Sequence, residues 1–75
     1  MGWILLMLND AGEPVSWLTG ETIEELLTRF RVSWQDPTLA PLEHTIRATA
    51  RRASAINRWD LGSPMPERHL WLLHT

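Results

Sequence analysis

The chain has no cysteine and no tyrosine, and all seven of its basic residues are arginine, so lysine is missing too. Without cysteine there are no disulfides and no thiolate metal sites. That exclusion weighs heavily on a chain of 75 residues. A domain this small buries only about 60% of its unfolded surface. Its own core supplies about 3–5 kcal/mol. Oligomerisation or partner binding is the remaining way to add stability. Missing cysteine also fits a cytoplasmic protein.

Other absences narrow the chemistry. The four glycines are isolated at 2, 12, 20 and 62, so no glycine-rich loop can cradle a phosphate. Net charge is −2, which lacks the broad basic footprint usual in nucleic-acid binders. The spacing of His44, His69 and His74 matches no zinc pattern, and positions 69 and 74 face opposite sides of a strand. Ser16, Ser33, Ser54 and Ser63 form no nucleophile elbow and no recognisable arrangement with His and an acid. The expectation is a non-enzyme with no cofactor and no metal.

No long hydrophobic run exists either. The stretch from Trp3 to Leu8 has no basic flank and no cleavage site, and is far too short to span a bilayer. Gly2 stands where myristoylation begins, but Leu6 occupies the position that needs Ser or Thr. The run reads as a strand, and the chain as a single domain over 1–75 with no membrane association.

Against these absences stand five tryptophans: Trp3, Trp17, Trp34, Trp59 and Trp71. Trp is rarely buried completely, and it is enriched as an anchor at interfaces. Some of these indoles are therefore expected to meet another molecule.

The order of elements can be read along the chain. Asn9 to Glu13 is a tight turn with Gly12 free to adopt positive φ, and Pro14 opens a second strand through Leu18. Proline at a strand start favours the sheet edge. Thr22-Ile23-Glu24-Glu25 is a capping box, after which Ile23, Leu26, Leu27, Phe30 and Trp34 recur at helical spacing. Glu21, Glu24 and Glu25 are thereby explained as first-turn carboxylates. The helix must stop near Asp36-Pro37, and Thr38 is a candidate second N-cap. Leu39, Leu42, Ile46, Ala50, Ala53 and Ile56 or Asn57 mark a helix running to about Arg58. Asp60 to Pro66 reads as a loop, and Arg68 to His74 as a last strand.

The reading is an α+β fold of order ββααβ: a three-stranded antiparallel sheet with two helices packed on one face. The first strand is apolar on both alternations, so it belongs in the centre. Ile4, Leu6 and Leu8 then point away from the face of Trp3, Leu5 and Met7. If both helices share one side, the other is left apolar and open, which marks an interface. One helix on each side is the alternative.

The expected function is a docking protein that meets a protein partner through Trp3, Trp17, Trp71 and the open sheet face. By class analogy of size and composition alone, it would be a phage- or mobile-element-type inhibitor, such as an anti-CRISPR or polymerase inhibitor. A homodimer through the same face is compatible. The alternative is nucleic-acid binding by Arg47, Arg51, Arg52 and Arg58 on the second helix, with Trp59 stacking at its end. A solvated helix face, with Glu43 pairing Arg47, explains the same arginines.

Overall fold

Proline and asparagine set the first hairpin. β1 (Trp3–Leu8) turns into β2 (Pro14–Gly20) through a loop organised by one side chain. Asn9 Oδ1 accepts from the Ala11 and Glu13 amides at 3.0 and 2.9 Å. Gly12 takes the expected left-handed conformation at φ 79°. These observations come from a computed structural model that describes residues 2–35, 37–52 and 57–75, the Thr38 side chain excepted.

The rest of the chain forms α1 (Ile23–Ser33), a 3₁₀ turn at Pro37–Leu39, α2 (Leu42–Arg52), β3 (Arg58–Met65) and β4 (Arg68–His74). The four strands pair antiparallel in the order β2-β1-β4-β3. The class is thus α+β, with β1 central and β2 at an edge, as the sequence suggests. The three-stranded ββααβ reading needs correction to ββααββ. The segment expected to be a loop, Asp60 to Pro66, lies largely in β3, the strand the sequence reading lacks.

The helices begin and end for local reasons. Thr22 Oγ1 accepts from the Glu25 amide at 3.1 Å, which caps α1. At its other end Trp34 is the C-cap rather than a helical residue, its amide donating to Phe30 O at 3.0 Å. α2 starts at Leu42, four residues past the expected N-cap position at Thr38. It is described as far as Arg52, and by Arg58 the chain is already in β3. The expected helical places of Ala53 and Ile56 lie outside the described residues, as does Asp36.

One core holds the layers together. Leu5 and Met7 of β1 pair in register with Leu72 and Leu70 of β4. Onto these four residues pack Leu26, Leu27 and Phe30 of α1, and Leu39, Leu42 and Ile46 from the second helical segment. Both helices therefore lie on the same side of the sheet. Gly20 makes this possible at one corner: a Cβ there would sit 2.6 Å from the Leu26 amide nitrogen. Across the top, Arg31 pairs with Glu43 at 2.6 Å and Arg47 with Glu24 at 2.8 Å. The expected Glu43–Arg47 pair within α2 is replaced by these two links between helices.

Candidate functional site: the open sheet face

Register sorts every strand residue to one face or the other. On the side away from the helices, Trp17, Leu6, Trp71 and Asp60 line up across the four strands in one row. The row on one side of it runs Thr19, Ile4, Leu73 and Arg58. On its other side Leu8 meets His69. None of Ile4, Leu6, Leu8, Val15, Trp17, Trp71 or Leu73 belongs to the core or packs against it. Trp17 is 60% and Val15 45% exposed. An antiparallel sheet with one solvated face normally alternates to polar there. This one is mostly apolar from β2 through β4, where only Thr19 and His69 are polar, and turns charged along β3 at Arg58 and Asp60.

Two of the five tryptophans belong to this face. Trp17 stands at the exposed edge. Trp71 lies in the centre, with the Arg58 guanidinium carbon 4.5 Å from its ring centroid. Its indole N–H is buried and has no hydrogen-bond partner among the described residues.

The other three serve the helix side. Trp3 stacks on His74 at 4.0 Å and tilts against Trp59 at 6.1 Å, and both indoles pack against the core. Trp34 meets Phe30 edge-on and donates from Nε1 to Ser16 Oγ at 3.2 Å.

The four arginines do not all lie on the second helix as expected. Arg47, Arg51 and Arg52 belong to α2, but Arg58 lies on the open sheet face and Trp59 on the opposite one. This corrects the placement of Arg58 and Trp59 at the end of the second helix. The helix breaks before them, and alternation along β3 sends them to opposite faces. Arg47 is engaged as well. Its hydrogen bond to Glu24 lowers the Glu24 carboxyl below its ordinary value and raises the guanidinium.

The structure also gathers a group that sequence spacing does not suggest. Ser63 Oγ lies 2.9 Å from His69 Nδ1, and His69 Nε2 bonds Asp60 Oδ1. The Asp60 carboxyl is held below its usual range, chiefly by the Gly62 amide and further by His69. Register shifts in β3 on either side of Gly62 bring Asp60 and Ser63 to the same side as His69. No sequence signal short of the bulge itself could have revealed this.

The order serine, histidine, carboxylate is that of a nucleophile relay. Beside it lies a cavity of about 270 Å³ whose wall includes Asn9, Asp10 and Gly12. An acyl-transfer site needs amides aimed at the developing oxyanion. Here the Ala11 and Glu13 amides donate to Asn9 Oδ1, and the Gly12 amide to Asn9 O. Asp10 adds a negative charge where one would be repelled. The group links β3 to β4 across the register shifts beside Gly62.

Among the described residues, no three or more His, Asp or Glu side chains are grouped to hold a metal ion. Likewise no described helix is long and apolar enough to cross a membrane. Comparison with protein-family models, curated proteins and solved structures finds no match to this chain.

Proposed function

We propose that this chain is a non-enzymatic docking protein whose working surface is the open sheet face. One observation carries the reading: Trp17, Leu6 and Trp71 form a row across three strands that no helix covers. Indoles flanking an aliphatic centre supply large contact area at low entropic cost, the usual make-up of a binding hot spot. The finer reading is a small cytoplasmic regulator that acts by occlusion, an inhibitor of the kind carried by phages and mobile elements. Its support is size, composition and the face itself.

Partner binding should then depend on the open face and not on α2. Trp17→Ser is expected to weaken capture of a protein partner at least tenfold, with Arg51→Ala and Arg52→Ala near wild type. Binding should change little between low and physiological salt. The competing reading is nucleic-acid binding through the arginines. Steep salt dependence, loss on nuclease treatment and sensitivity to Arg51→Ala would establish it instead.

A further inference from the structure

We infer that the partner this face is shaped for is a second copy of the same chain, packed sheet to sheet. The inference rests on the docking reading above and names the occupant. Two observations on the face select it.

The first is charge. From β2 through β4 the Thr19 and Trp17 rows offer no charged side chain, the third row adds only His69, and the charged pair on β3, Arg58 and Asp60, is of opposite sign. Each is already engaged at home, Arg58 on the Trp71 ring and Asp60 by the Gly62 amide and His69. An occupant need bring no countercharge. It should itself be apolar in the middle and balanced at the margin, as this face is.

The second is area. Four strands spaced about 4.8 Å apart, rising about 3.3 Å per residue, give a face about 20 Å wide and a little longer. Stable interfaces bury about 800 Å² of accessible surface on each partner. The flat footprint of this face is only about 400 Å², so side-chain relief over its whole extent is needed to approach that value. A face this small must therefore be covered almost entirely. A docked helix is about 10–12 Å across and would leave half of it wet. Another sheet of the same width and twist covers it whole, with the strands aligned to within about 30°. The product is four layers, helices outside and two sheets within. Any other target must displace the second copy, so self-association sets how much face is available.

Sedimentation equilibrium of the wild-type chain, from low micromolar to high micromolar concentration, tests this. The expected mass rises from 8.7 kDa towards twice that value. Leu6→Arg places an unpaired charge at the centre of the contact and should raise the dissociation constant at least about a hundredfold. Trp17→Ser changes an already exposed position, keeps the fold by circular dichroism, and should weaken the dimer about tenfold or more.

A wild-type chain that stays monomeric throughout overturns the inference. Binding of an apolar dye then separates the two claims. Dye bound by the monomer and lost in Trp17→Ser leaves the face open to a different protein. No dye bound at all overturns the docking reading as well.

Discussion

At the scale of single residues, this molecule separates indoles by which side of a strand they occupy. Trp17 and Leu5 are both large and apolar, yet they should respond oppositely to substitution. Leu5 is fully buried between β2, β4 and the helices. Leu5→Ala should cost about 2–5 kcal/mol in urea unfolding, the usual range for a buried leucine. Trp17→Ser in the monomer should stay within about 0.5 kcal/mol of wild type, because its position is mostly open. A Trp17→Ser loss as large as that of Leu5→Ala would mean the open face is part of the core.

Charge adds a pH dependence of definite sign. The Glu24 and Asp60 carboxyls are both lowered in the fold, by Arg47 and by the Gly62 amide respectively. A depressed carboxyl contributes stability above its unfolded value and loses it as pH falls through the folded one. Melting temperature should therefore drop on acidification below the ordinary carboxylate range. Glu24→Gln should flatten part of that drop, as melting curves at stepped pH would show. Both pairs are open to solvent, so the effect is expected to be small.

Among the elements, the junction of β2 with α1 is the tightest. A Gly20 Cβ would meet the Leu26 amide nitrogen at 2.6 Å and its Cα at 2.9 Å, both backbone atoms that cannot swing aside. Gly20→Ala should destabilise by about 1–3 kcal/mol, the cost of forced overpacking. Thr22→Ala, two residues on, should cost about 1 kcal/mol by removing the cap on Glu25. Denaturant midpoints of the two variants give the comparison directly.

The same elements show how far the sequence could be read. The turn at Asn9 to Glu13, the cap at Thr22 and the apolar period of α1 are local signals, and each predicts its element. β3 was not legible, because Gly62 and Pro64 read as breakers of regular structure. Breakers are tolerated on a bulged edge strand, where the missing proline amide faces no partner. With no local signal for that strand, helical spacing carries the preceding helix on to about Arg58 and groups Arg58 with Arg47, Arg51 and Arg52. The open face was legible, since alternation in β1 and β4 alone divides Leu6, Trp71 and Leu73 from Leu5, Leu70 and Leu72. The Ser63–His69–Asp60 group was not. It depends on a register shift, which no residue spacing encodes.

For the molecule as a whole, the question is how an uncovered apolar face coexists with so small a core. One cluster of ten buried hydrophobic residues holds the described structure together, and no disulfide assists it. Covering the face with a second copy would add apolar burial to a fold that has little to spare. Association that involves only the folded state stabilises it by mass action. The melting temperature should then climb as protein concentration is raised, and the climb should vanish in Leu6→Arg, whose charge blocks the contact without touching Leu5 or Leu72. Calorimetric scans over a concentration series distinguish the cases. A rising transition in wild type and a fixed one in Leu6→Arg would show that the face contributes to stability only when covered. A fixed transition in both would show that ten core residues and two helices suffice alone, leaving the row of Trp17, Leu6 and Trp71 with no part in holding the protein together.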